Sequence, residues 1–145
     1  MQTNTSTPAE PPEATLASFF RLLGQPVRIR ILLAIGRRGV CVCHLEAVLG
    51  QRQAAISQHL MQLREAGLVV SERSGRHIYY RLSHPKWIDL IISAAVIFGE
   101  TDWVDQALSL NPVPGCCCPE CSPTPICPRI SETDPVCENT ENIST

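Results

Sequence analysis

Cysteine is the side chain that carries chemistry in this 145-residue chain, and its eight copies fall in two places. Cys41-Val42-Cys43 stands alone in the first half, while Cys116, Cys117, Cys118, Cys121, Cys127 and Cys137 lie beyond residue 115. An even count in a small protein can mean a disulfide scaffold, but no secretory signal opens the chain. In a reducing cytosol the same pattern more often means metal binding or redox chemistry. Cys118-Pro119-Glu120-Cys121 is a Cys-x-x-Cys, a spacing that lets two thiolates share one ion in a tight turn. Cysteines often serve merely as small buried hydrophobes. Four of them within six residues of a Pro-rich tail have no core to enter, so soft-ion chemistry is the expectation there.

Two stretches have to position these thiols. Cys43 to Val70 reads as a helix-turn-helix. A short helical segment carries Leu45, Val48 and Leu49, and Gly50 breaks it. A second segment places Ile56, Leu60 and Leu63 on one face, with Gln53, Ser57, Gln58 and Gln62 on the others, before Gly67 stops it. Such a polar face is by itself an ordinary solvated surface, although glutamine, serine and arginine also suit base edges and phosphates. The next residues decide between these. Leu68-Val69-Val70 and Ile78-Tyr79-Tyr80 are strand-like runs flanking Arg73-Ser74-Gly75-Arg76-His77, a turn bracketed by basic side chains. A helix-turn-helix followed directly by a cationic hairpin is a winged helix, with one helix in the major groove and the wing on phosphates or the minor groove. Cys41 and Cys43 thus stand about ten residues ahead of the DNA-reading helix.

The formal charge of −2 says little until the chain is divided. Residues 14–98 hold 11 Lys/Arg against 4 Asp/Glu, whereas residues 99–145 hold 1 against 8. A basic body with an acidic tail fits an electrostatically guided DNA binder, although acidic tails also serve merely as solubilisers. Residues 1–13 read as disordered, 14–110 as one DNA-binding and dimerisation domain, and 111–145 as a Cys/Pro-rich tail. The first helix is expected over Ala14 to Leu23, with Leu16, Phe19, Phe20 and Leu23 on one stripe, and Pro26 opens the second. After His84-Pro85 a helix carries Trp87, Leu90, Ile91, Ala94 and Phe98 in register, with Ile88, Ile92 and Val96 on its other faces. A helix apolar nearly all round needs cover on more than one side, and a second copy of the chain, in a two-fold homodimer, supplies it economically. The run is too short to span a bilayer, so no membrane association and a cytoplasmic location are expected.

In three segments the chain resembles the ArsR/SmtB family of metal-sensing winged-helix repressors. They are Leu22-Leu23-Gly24-Gln25-Pro26-Val27-Arg28, Cys41-Val42-Cys43-His44-Leu45, and Ile56-Ser57-Gln58-His59-Leu60 with Leu63-Arg64-Glu65-Ala66-Gly67-Leu68-Val69. The resemblance covers residues 16–83. It implies a homodimer, joined through its first and last helices, that blocks transcription until an inducer binds. It also has departures. The family's usual Cys-Val-Cys-Asp-Leu has His44 in place of Asp, and Glu46 stands where arsenic-type members often place a third cysteine. Residues 1–40 lack the N-terminal cysteines that cadmium- and lead-binding relatives use. The last helix has Asp89 but no histidine for the zinc-type site of other relatives.

Cys41 and Cys43 alone make a poor site. In a regular helix residues two apart point about 200° from one another, and zinc usually takes four ligands, while trivalent arsenic in related sensors takes three sulfurs. The remaining ligands come from the tail, from His44, or not at all. The expected protein is a repressor of a resistance operon that leaves its operator when a thiophilic ion binds. Trivalent arsenic or antimony is the first choice for that ion, and cadmium, lead or zinc the second. Expected ligands are Cys41, Cys43, Cys116, Cys117, Cys118 and Cys121. Expected contacts to double-stranded operator DNA are Arg52, Gln53, Ser57, Gln58 and Gln62 on the helix, with Arg73, Arg76 and His77 at the wing. His59 suits a structural role as well as a phosphate contact. Two other classes stay open, a thiol-disulfide redox sensor on the same fold and an ion-storing module without a DNA role. No nucleophile constellation, phosphate loop or acid–base pair suggests an enzyme.

Overall fold

Ile31, Leu32, Leu33 and Ile35 lie together in the second helix and are all buried, and the five other described helices pack around that helix. The structure, a computed structural model, describes residues 10–109 together with Val113, Cys116 and Cys121. Its elements in chain order are α1 (Pro12–Leu23), α2 (Pro26–Ile35), β1 (Val40–Cys41), α3 (Val42–Leu49), α4 (Gln53–Glu65), β2 (Val69–Ser74), β3 (His77–Leu82), α5 (Lys86–Phe98) and α6 (Thr101–Ser109). α1 starts two residues ahead of the expected Ala14, with Pro12 at a first-turn position where its missing N–H costs nothing. Pro26 opens α2 in the same way.

The helix-turn-helix and its wing form as expected. Ile56, Leu60 and Leu63 turn inward from α4, and α3 contributes Leu45 and Leu49 to the same core. β2 and β3 pair antiparallel from Val69↔Leu82 to Ser74↔His77, which leaves only Gly75 and Arg76 as the turn. The wing is therefore tighter than the five-residue turn of the sequence reading, and Arg73 and His77 lie in strands. Gly75, at φ +60°, takes a backbone conformation that side chains disfavour.

β1 was not foreseen. This two-residue strand completes the sheet in the order β1-β3-β2, with Val40 opposite Tyr80 and Cys41 opposite Tyr79. Gly39 permits the approach: a Cβ there would lie 2.6 Å from Arg81 Cγ and 3.1 Å from the Tyr80 carbonyl oxygen. Two residues are too few to show an alternating pattern, so local sequence carries no signal for the strand.

α5, apolar nearly all round, buries one face within the chain. Ile88, Ile91 and Ala95 face the core, with Trp87 and Ile92 half-buried against it. Leu90, Ala94 and Phe98, in register with Trp87 and Ile91, are exposed, so one side of this nearly all-apolar helix stays open. The unanticipated α6 helps decide which side goes in, since it packs on both α2 and α5 and buries Val104. Phe98 and Ile97 are 80% and 81% exposed, and Leu16 and Phe20 of α1 are also open. Phe19 stacks on Trp87 with ring centroids 5.0 Å apart, which ties α1 to α5. No helix among the described residues is long and apolar enough to cross a membrane.

Candidate metal centre and nucleic-acid interface

Cys41 ends β1 and stands as the N-cap of α3, in extended conformation at φ −85° and ψ 167°. Cys43 is already helical. The pair thus straddles a strand-to-helix junction, which removes the obstacle that a regular helix would impose on two thiols sharing one ion. Strand pairing with Tyr79 fixes Cys41, which is 2% exposed.

The tail returns to this junction. Val113 and Cys116 are buried in a small cluster with Cys41, lined by Cys43, Ala47, Val48, Tyr79 and Cys121. Cys116 Sγ lies 3.9 Å from Cys41 Sγ, across 75 positions of sequence. Cys121 Sγ lies 3.2 Å from His44 Nδ1. The donor atoms of His44, Cys116 and Cys121 all fall within 4.8 Å of one another. His44, 2% exposed, is the buried polar residue of the described core. The Cys41 thiol is pushed strongly upward in pKa, first by its hydrogen bond with Cys116, then by that with Cys43 and by burial. The backbone N–H of His44 favours the thiolate and offsets this only in part. Without an ion the pocket therefore holds Cys41 as a neutral thiol.

Of the six expected ligands, the structure brings Cys41, Cys43, Cys116 and Cys121 together, whereas Cys117 and Cys118 lie outside the described residues. His44 enters the cluster as a donor the expected ligand set did not include. Its signal was its place directly after Cys41-Val42-Cys43, which made it an alternative source of ligands in the sequence. Glu46 has a separate role. Its Oε1 accepts a hydrogen bond of 3.0 Å from the backbone N–H of Gln53, the first residue of α4. The helix bearing the thiols is thereby tied to the start of the next helix through one carboxylate.

α4 presents its polar residues outward. Ser57, Gln58 and Gln62 are exposed on it, Arg52 is exposed at its N-cap, and Gln53 is half-buried. Gln62 accepts a hydrogen bond from the Arg28 guanidinium. Arg73 and Arg76 are exposed at the wing, where Arg73 Nε donates to the Gly75 carbonyl at 3.3 Å. His77 is half-buried, and its Nδ1 and that of His59 find no hydrogen-bond partner among the described residues.

Residues 25–71 match the family model of bacterial regulatory proteins of the arsR family. An arsenic resistance transcriptional regulator of Pseudomonas putida is 40% identical over 88 residues, which span 59% of this chain and 68% of that protein. The chain belongs to the arsR family. A transcriptional repressor of Mycobacterium tuberculosis named SmtB is 38% identical over 96 residues, covering 64% of this chain and 71% of that one. Among solved structures, a homodimeric winged helix-turn-helix domain of Mycobacterium bovis, described as a possible ArsR-family regulator, superposes with a TM-score of 0.53. The identity is 27%, over 61% of this chain and 82% of the other. ArsR/SmtB proteins are metal-responsive transcriptional repressors rather than enzymes, and their winged helix binds DNA.

Proposed function

We propose that this chain is a cytoplasmic, homodimeric repressor of a resistance operon, released from its operator by trivalent arsenic or antimony at Cys41, Cys43 and Cys116. The observation that carries this reading is the 3.9 Å approach of the Cys116 and Cys41 sulfurs beside Cys43. Three sulfurs in one place suit a pyramidal trivalent centre. Arsenous acid, As(OH)3, exchanges its three hydroxyl groups for three sulfurs, and each hydroxyl leaves with a thiol proton as water. Arsenic stays trivalent throughout, so the step needs no oxidant or reductant. The arsenic-resistance role of the Pseudomonas putida relative supports the same choice.

The open apolar residues Leu16 and Phe20 on α1 and Val96, Ile97 and Phe98 on α5 suit burial against a second copy. Such a dimer presents two α4 helices to successive major grooves. Ser57, Gln58 and Gln62 then read bases with Gln53 and Arg52 at the helix start, while Arg73, Arg76 and His77 contact the backbone. Ion binding tightens the docked tail against the start of α3, and the Glu46–Gln53 link passes the movement to α4. A coupling of about 1–3 kcal/mol is enough to change operator occupancy 5- to 150-fold.

Truncation after Asn111 tests this. Removing Cys116 should lower both the sulfur coordination number of bound arsenic, read by X-ray absorption, and the affinity for arsenite, while operator binding persists. A truncated chain that releases DNA at the same arsenite concentration with the same coordination would exclude the tail from the site.

A further inference from the structure

His44 is the buried polar residue of the described core, and three thiols for arsenic leave it unused. Its Nδ1 points at Cys121 Sγ at 3.2 Å, and both atoms lie within 4.8 Å of Cys116 Sγ. The cluster therefore contains two overlapping donor sets that meet at Cys116. One is all sulfur: Cys41, Cys43 and Cys116. The other mixes one imidazole nitrogen with two sulfurs. Around a tetrahedral ion with ligands at about 2.0–2.3 Å, neighbouring donor atoms sit roughly 3.5–3.8 Å apart. The 3.2 Å contact and the 4.8 Å bound bracket that spacing, so small side-chain movements suffice to close the set.

We infer that His44, Cys116 and Cys121 form a second binding mode of the cluster, one that takes a four-coordinate divalent ion of the zinc and cadmium class and excludes arsenic by occupying Cys116. Imidazole suits zinc and its neighbours, while thiolate extends the range to softer divalent ions. Three protein ligands leave the ion's fourth position to water or to an adjoining thiol. Binding displaces two thiol protons, from Cys116 and Cys121, and no redox change occurs. Arsenous acid has no comparable use for the nitrogen, since its three positions are filled by sulfur.

The inference builds on the arsenic reading of the same pocket, so the test keeps the two apart. Reduced full-length protein is titrated with Co(II), whose visible absorption reports tetrahedral geometry and thiolate ligation, then with Zn(II) in competition, and separately with arsenite. C121S and H44A should each weaken Co(II) and Zn(II) binding at least tenfold and leave arsenite binding within a few-fold of wild type. C43S should do the reverse. Zn(II) at 100 times its Kd should weaken apparent arsenite binding about 100-fold through competition for Cys116. Operator binding by each ion-free variant shows that it folds, and C121S, altered outside the core, carries the test if H44A does not. Equal Co(II) affinity in wild type and C121S, or independent binding of Zn(II) and arsenite, overturns the second mode. Failure of wild-type protein to bind arsenite, with Co(II) bound tetrahedrally through His44 and Cys121, would instead overturn the arsenic reading and leave the divalent mode standing.

Discussion

The thiol cluster at the start of α3 and the candidate DNA-contacting surface of α4 and the wing are built by opposite rules. The candidate DNA contacts are local: Arg52 to Gln62 fall on one helix and its N-cap, and Arg73 to His77 on one hairpin, nearly all exposed. The cluster is non-local and buried, and closes only when Cys116 and Cys121 return across 75 and 77 positions to Cys41 and His44. A surface that reads a rigid duplex needs side chains held on regular elements, whereas a sensor gains from a site whose completion changes how two segments dock. The difference predicts that variants in one region leave the other intact.

Removing the sulfurs of α3 should have the largest effect. Cys41→Ser with Cys43→Ser keeps the shape but loses the soft ligands. Arsenite-driven release from operator DNA should then need more than 100-fold higher arsenite, with ion-free operator affinity within about twofold of wild type. This separates the two regions in a fluorescence anisotropy titration. A double variant that releases DNA at the wild-type concentration would move sensing wholly into the tail.

The converse comes next. Arg73→Ala and Arg76→Ala should each weaken binding to all DNA sequences by about tenfold at physiological salt. Each should also reduce the slope of log affinity against log salt by about one, as expected for loss of one phosphate contact. Gln58→Ala should act differently, costing about 1–3 kcal/mol of discrimination between operators while leaving the salt slope alone. Inducer affinity should be unaffected in all three. Wing variants with unchanged salt dependence would remove Arg73 and Arg76 from the interface.

Why the sequence revealed one region more fully than the other follows from the same contrast. The i, i+4, i+7 spacing of Ile56, Leu60 and Leu63 states which face of α4 is buried, and the Ser-Gly turn announces the hairpin. These are short-range signals. α5 was less legible because apolar residues on every face make periodicity uninformative, so neighbours decide which side goes in. Here α6, a helix with one buried residue, helps make that decision. Cys41 and Cys43 were legible as a pair, but that Cys116 would approach Cys41, and Cys121 His44, was beyond any local pattern. Glu46 looked like a missing thiol, and its capping of the next helix depends on how two helices meet across Gly50.

That capping link is where the comparison can be sharpened, because Glu46 belongs to both regions. Glu46→Ala leaves the Gln53 N–H without its side-chain partner and should cost about 1 kcal/mol of stability, as for other lost caps. If the carboxylate also carries the signal, the variant should bind arsenite with wild-type affinity yet release DNA less completely. Glu46→Gln, which keeps an acceptor, should restore most of both. Full release by Glu46→Ala at saturating arsenite would route the coupling elsewhere, through β1 or the tail.

The smallest expected effect concerns the ion-free state and rests on the neutral thiol of Cys41. Thiolate is the reactive form toward alkylating reagents, and the hydrogen bond with Cys116 is the largest cause of the raised pKa of Cys41. The sign follows directly. A thiol whose folded-state pKa lies above its ordinary value of 9.0 stabilises the docked tail fully below that pH. That contribution is lost as pH climbs beyond it, because an undocked Cys41 ionises while a docked one does not. In the full chain, alkylation of Cys41 by iodoacetamide, followed by peptide mass spectrometry, should stay slow through neutral pH and past 9. Cys116→Ser weakens that hydrogen bond, so alkylation should be several-fold faster in the variant and should begin to rise at lower pH. Identical pH profiles would mean that burial alone protects Cys41, and that the docked Cys116 contributes nothing until an ion arrives.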